Sequence, residues 1–370
     1  MYLLRWYFLL LFIAVFTKAQ NVREFRQTKI PYAPKHYVCY KTPQAITIDG
    51  YISEPAWEKA QWTDYFEDIE GYLKPAPAWR TQVKMLWDEH YFYFAAELEE
   101  PHVWAKLTQR DTVIFYDNDF EIFIDPNGDT HEYFEYEINA FGTEWDLLLT
   151  KPYRDQGSAI NGFDLHGMKS AVAVHGTINN PNDEDEGWTI EVAIPWSALR
   201  DCAHTVLPPQ PGQQWRVNFS RVQWRMDIEN GGYKKTINPD TGKPYPEDNW
   251  VWSPQGFIDM HAPELWGLVQ FSDKLAGRGV EPFVPRRDEE IRWALRRLYY
   301  NQKTLHLNQG RFSSDIRELE LYDVELQHYQ WPPLIHHTPN LFEATATSKD
   351  GREEWHIRQD GKIWKSGKSD

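Results

Sequence analysis

The feature that most constrains the fold of this chain is a long succession of short segments whose side chains alternate between apolar and polar. Gln82–Trp87, Tyr91–Glu97, Phe120–Asp125, Tyr133–Asn139, Ser170–His175, Trp188–Ala193, Trp215–Val222 and Trp266–Phe271 all read this way. Turn-forming strings separate them, among them Asp88-Glu89-His90, Pro126-Asn127-Gly128-Asp129 and the acidic stretch from Pro181 to Gly187. Successive side chains of a strand point to opposite faces, so this alternation marks strands with one face on a core. Many such strands, short turns and few helical stretches predict a mostly β protein built as an antiparallel β-sandwich. The pattern holds from residue 36 to about Asp273. Within it, Asn230–Asn249 is a long, glycine-containing loop of the kind that often carries function.

The flanks read differently. A composition change at 274–287 suggests a linker, and Asp288-Glu289-Glu290 then opens a helical stretch. Ile291, Leu295 and Leu298 share one helix face, with acids in the first turn and Arg296-Arg297 later, as the helix dipole favours. Short strands return from about Tyr322 and end in Ile363-Trp364, so residues 288–370 read as a small helix-plus-sheet module. Residues 20–35, with Pro31 and Pro34, read as a linker before the sandwich. Before them, Arg5, the apolar run Trp6–Phe16 and Thr17-Lys18-Ala19 form a signal peptide over residues 1–19, cut before Gln20. The expectation is therefore an exported protein, located in the periplasm, at the cell surface or outside the cell. Cys39 and Cys202 are either a disulfide or two separate thiols.

Charge narrows the partners. A net charge of −16 repels a phosphate backbone and argues against nucleic-acid binding, while a neutral sugar is not penalised. No Gly-x-Ser-x-Gly, His-Glu-x-x-His or phosphate loop is present. The 18 Trp, 20 Tyr and 19 Phe fill the core for the most part, and the remainder are free to stack on ring-shaped ligands.

The chemistry concentrates on the hairpin around Asn127-Gly128-Asp129. Phe120, Ile122 and Ile124 are expected to face the core, and Glu121, Phe123 and Asp125 to face outward. Tyr133, Glu135, Glu137 and Asn139 share a face of the second strand, and a symmetric turn sets Glu121 opposite Glu135. Like charges across a strand pair are unfavourable. A cation, Arg221 or the hydroxyls of a ligand would relieve them. Three readings stay open: carboxylates splayed into water, a sugar-binding face using Glu121, Asn139, Arg221 and Trp224, or a catalytic pair of Glu121 with Glu135 or Glu137. Asp125, Asn127 and Asp129 lie in an oxygen-rich turn that is either a plain turn or a calcium loop.

Several strings taken in order carry a resemblance. Ile46-Thr47-Ile48-Asp49-Gly50 precedes Glu54-Pro55-Ala56-Trp57. Asp117-Asn118-Asp119-Phe120-Glu121-Ile122-Phe123-Ile124-Asp125 precedes Trp188-Thr189-Ile190-Glu191-Val192-Ala193-Ile194-Pro195-Trp196, and Leu265-Trp266-Gly267 closes the series. Together these resemble the family 9 carbohydrate-binding modules. The resemblance implies a β-sandwich, a place in glycan-degrading systems beside partner proteins, an oligosaccharide or polysaccharide ligand, and bound calcium in some members. It also implies a terminal sugar clamped by two Trp, whose positions fall here on Phe115 and Met260. Glu121 matches an acidic site position, while Glu137 falls near a position held by Arg. The clamp is thus altered, and Trp145, Trp224, Trp250 and Trp252 are candidates for replacement stacking faces. A binding module is the preferred reading, with a glycoside hydrolase or lyase, or a scaffold, as alternatives.

Overall fold

The computed structural model describes residues 23–367, and the signal peptide read at 1–19 lies outside them. The chain begins with β1 (His36–Lys41), α1 (Pro55–Lys59) and β2 (Glu67–Asp68), followed by β3 (Thr81–Trp87) and β4 (Tyr91–Glu99). Next come β5 (Asp119–Asp125), β6 (Tyr133–Asn139), β7 (Glu144–Leu149), β8 (Ala159–Ile160) and β9 (Lys169–His175). β10 (Gly187–Pro195), α2 (Trp196–Leu199), β11 (Gln214–Gln223), β12 (Met226–Glu229), β13 (Gly232–Lys235), β14 (Asp248–Val251) and β15 (Gly267–Leu275) complete the sandwich. The long helix α3 (Glu289–Gln309) and the strands β16 (Leu334–His337), β17 (Phe342–Thr347), β18 (Glu353–Arg358) and β19 (Ile363–Gly367) follow.

The segments singled out by alternation are all strands. β12 and β13 turn the loop expected at Asn230–Asn249 into a hairpin with an exposed tip. The alternation does not disclose β1, which runs parallel to both its neighbours, β15 and β3. The sheet is therefore mixed rather than purely antiparallel. Its hydrogen-bonded path runs β8-β7-β6-β5-β11-β15-β1-β3-β4-β10-β9 and doubles over on itself. Phe120, Ile122, Phe134, Tyr136 and Phe219 from one layer pack against Val83, Phe94, Ile190 and Val192 from the other.

The motifs read at the start of the domain have a physical explanation. The Glu191 carboxylate accepts the Asp49 and Gly50 N–H groups at 2.9 Å each and the Trp57 indole N–H at 2.7 Å. This latch holds the 46–57 segment against β10. Gly50 sits at φ 89°, and a Cβ there would lie 2.6 Å from the Val172 carbonyl carbon, so both conformation and space demand glycine.

The C-terminal sheet β16-β17-β18-β19 packs with α3 around its own core. A buried polar network docks it on the sandwich. Arg216 reaches Glu289 at 2.6 Å, Tyr299 donates to Asp155, Lys303 pairs with Asp155 at 2.8 Å, and Tyr300 donates to Glu264. The described part of the first segment read as a linker, and the second segment, are strapped down. Phe25 packs edge-on to Tyr299, Tyr32 stacks on Trp293 at 4.1 Å, and Val284 N–H donates to Gln270 at 2.8 Å. Cys39 and Cys202 are free thiols.

Two outcomes follow. Glu191→Ala strands buried N–H donors and is expected to cost about 3 kcal/mol in chemical denaturation. The second concerns acid. Burial alone would raise the Glu264 carboxyl, but Arg154 and Arg296 hold it at about 2, below its ordinary 4.5. A depressed carboxyl stabilises the fold above its unfolded value and loses that contribution as pH falls through the folded one. Thermal melts should therefore weaken as pH falls from about 4.5 towards 2, and Glu264→Gln should flatten that part of the curve.

Candidate functional site

Strand register brings the outward carboxylates of β5 and β6 into rows. Glu121 pairs across the strands with Glu137, not with Glu135 as a symmetric turn suggests; Glu135 faces Phe123. The correction has a simple cause. Asp125 accepts the Gly128 and Thr130 N–H groups at 2.8 Å each, which lengthens the turn and moves the pairing by two residues. A two-residue shift keeps every side chain on its face but changes its partner. One row then reads Trp145, Glu137, Glu121, Ser220 across β7, β6, β5 and β11. Asp119 stands one row away, paired with Asn139.

These carboxylates are not splayed into water. Asp119 is fully buried, Glu137 is 1% exposed, and Glu121 and Glu135 are 5% exposed. Phe115, Trp145, Met260 and Trp266 close over this face in a second apolar cluster with Phe123 and Tyr133. Phe115 and Met260, the altered clamp positions, thus pack over the acidic row. Burial pushes the Glu121 carboxyl up to about 7, against the opposing effect of the Ser220 hydroxyl. Burial first, and then the charge of Glu121, raise Asp119, Glu135 and Glu137 well above the carboxylate range. Among the described residues no lysine or arginine pairs with any of the four. Acid–base cleavage of a glycoside needs two carboxyl groups flanking the bond. Here Glu121 and Glu137 lie side by side on a covered floor.

The other singled-out residues go elsewhere. Arg221 is on the opposite face from Glu121, among residues that follow Phe219 into the core. It pairs with Glu100 at 2.9 Å, donates to Thr81, Gln223 and the Glu99 carbonyl, and lies 5.1 Å over the Trp250 ring. Asn139 spends its amide on Leu107 and Asp117, and its carbonyl on the Phe141 and Thr143 N–H groups, so it is a corner residue. Trp252 is in the sandwich core. Asp125, Asn127 and Asp129 sit in a turn that is tied together by their own side chains. Their oxygens accept N–H groups of their own turn, and the second Asp129 oxygen pairs with Lys362 at 3.2 Å.

Two of the candidate stacking residues do converge. Trp224 and Trp250, with Trp79 and Trp104, line a cleft of about 330 Å³ at the edge of the sandwich. Glu100, His102, Asn118, Gln223, Arg225 and Asp248 supply polar groups along it. The Trp104 indole N–H has no hydrogen-bond partner. Trp224 is fixed by Asn118, which accepts its backbone N–H at 2.8 Å, and by the Phe115 carbonyl, which accepts its indole N–H at 2.8 Å. Lys235 lies over the Trp224 ring. Trp79 and Trp104 were not singled out from sequence; their only signal was the high tryptophan count.

A family model described as carbohydrate family 9 binding domain-like matches residues 48–270, more than half of the chain, so the chain belongs to that family. It is similar to exoglucanase XynX of Acetivibrio thermocellus, at 26% identity over 161 residues, 43% of this chain and 12% of that protein. It is also similar to endo-1,4-beta-xylanase A of Thermoanaerobacterium saccharolyticum, at 23% identity over 125 residues, 34% of this chain and 9% of that protein. The chain thus spans about a tenth of the length of these curated relatives. Among solved structures, a family 9 carbohydrate binding module from Caldicellulosiruptor kristjanssonii in complex with cellotriose aligns with a TM-score of 0.41 at 15% identity, over 68% of this chain and 100% of that one.

The role assigned to Arg221 can be measured. Removing one partner of a buried ion pair leaves the other uncompensated, at a cost of roughly 3–5 kcal/mol. Arg221→Met is expected to lose that much in urea denaturation, and the double variant with Glu100→Gln to recover part of it.

Proposed function

We propose that this chain is an exported carbohydrate-binding protein that takes a sugar ring into the tryptophan-lined cleft and works beside enzymes of a glycan-degrading system. One observation carries the reading. In a chain of the family 9-like class, the half-buried Trp79 and Trp224 meet in one cleft over the buried Trp104 and Trp250, with His102, Arg225 and Asp248 at its edges. A pyranose offers an apolar C–H face to an aromatic ring and hydroxyls to carboxylates and amides. The volume of about 330 Å³ sits at the small end of the usual range for ligand clefts. The resemblance would place a sugar between Phe115 and Met260, but those side chains close over the acidic row in an apolar cluster. This supports a ligand, or a mode of holding it, different from that of the clamped terminal sugar. The similarity of a short stretch to two much longer glycan-cleaving enzymes supports an adjunct role.

The test is a glycan array followed by calorimetry on each hit, with reducing-sugar release assayed in parallel. Trp224→Ala and Trp79→Ala are expected to weaken binding about tenfold or more, the equivalent of ~1.4 kcal/mol of lost stacking. Glu121→Gln should leave it unchanged. The opposite pattern would move the sugar to the acidic row. Release of product would replace the binding reading with an enzymatic one, and silence on every glycan would leave a scaffold.

A further inference from the structure

The acidic row is not part of the cleft, and its charge remains unexplained. Several buried carboxylates without a cation are costly, because each loses its hydration without a compensating charge. Two arrangements can relieve them: bound protons or a bound metal ion. The geometry points to the metal. One oxygen from each of Asp119, Glu121 and Glu137 lies within 4.8 Å of the others. Oxygens that share one calcium ion at about 2.3–2.6 Å are separated by at most about that distance. Asp119 is fully buried, and neither of its carboxylate oxygens has a hydrogen-bond partner of ordinary geometry; the nearby Val222 N–H offsets only part of the effect of its burial. A second acidic group on the molecule, Asp49, Glu54 and Glu191, differs on this point, since Glu191 already accepts three N–H groups.

We propose that Asp119, Glu121 and Glu137 form a buried site for a divalent cation of the calcium class, which ties β5 to β6 beneath Phe115. All three donors are hard carboxylate oxygens, and neither His nor Cys belongs to the group, which favours calcium over zinc or copper. Glu137 also accepts the Phe115 N–H at 3.1 Å, so the site fixes the segment that carries Phe115.

The test uses the full chain stripped with chelator and titrated with terbium. Trp145 lies directly across the strands from Glu137 and is placed to sensitise terbium emission. Saturable emission that calcium displaces, together with a calcium-dependent rise in melting temperature, is the expected result. Asp119→Asn and Glu137→Gln should each weaken binding at least tenfold, while Asp49→Asn leaves it unchanged. Both substitutions remove buried charge, so each variant should melt no lower than the metal-free parent, which separates lost binding from lost folding. Trp145→Phe should dim the emission and keep the calcium-dependent rise in melting temperature. Absence of both signals in the parent would overturn the proposal and leave the row held by shared protons. So would emission that survives Asp119→Asn and Glu137→Gln.

Discussion

Strands β5, β6 and β11 are buried on both faces, and most of what distinguishes this protein follows from that. A sandwich strand ordinarily shows one face to the core and one to water. Here the inner face, Phe120, Ile122 and Phe134 among others, meets the opposite layer. The outer face carries Asp119, Glu121, Glu135 and Glu137, and a second apolar cluster shuts it off from solvent. Charge that would be harmless on an open sheet becomes an electrostatic demand once water is removed.

The turn between β5 and β6 sets how that demand is arranged. Asp125 gathers two backbone N–H groups and fixes the length of the turn, which places Glu121 against Glu137. The same turn receives the C-terminal module. Arg292 donates to the Gly128 carbonyl, Thr130 to the Gly361 carbonyl at 3.0 Å, and Ile363 N–H to the Asp129 carbonyl at 3.2 Å. The oxygen-rich string Asp125-Pro126-Asn127-Gly128-Asp129 is thus used in register and docking.

Most of the sandwich was legible because alternation is a direct record of which side chain meets the core. The strings around Gly50, Trp57 and Glu191 were legible as a pattern, and the latch they form explains why those residue types stand there. β1 was hidden because its half-buried Val38 and Tyr40 are as apolar as the buried Tyr37 and Cys39, so its residue types do not alternate. The cover over the outer face was hidden for a different reason. It comes from the connections around Ile114–Phe115 and Met260–Trp266, and a connection has no periodicity that announces what it packs on. The cleft was hidden for the same reason, since Trp79, Trp104, Trp224 and Trp250 sit outside or at the ends of strands and meet only through topology.

The charge balance around the acidic row links it to the cleft. Arg221 is on the wrong face and committed to Glu100. Lys235 lies over the Trp224 ring, where burial lowers its ammonium to about 8 despite Asp117 and Glu247 nearby. Neither side chain reaches Glu121 or Glu137 to neutralise it. The segment between row and cleft is a single residue deep. Phe115 gives its N–H to Glu137 and takes the Trp224 indole N–H on its carbonyl. A charge that pulls Glu137 inward acts on one side of that residue, and the tryptophan that walls the cleft is anchored to the other. Phe115 is thus the shared boundary of the two sites, with its N–H on Glu137 and its carbonyl holding the indole of the cleft's wall.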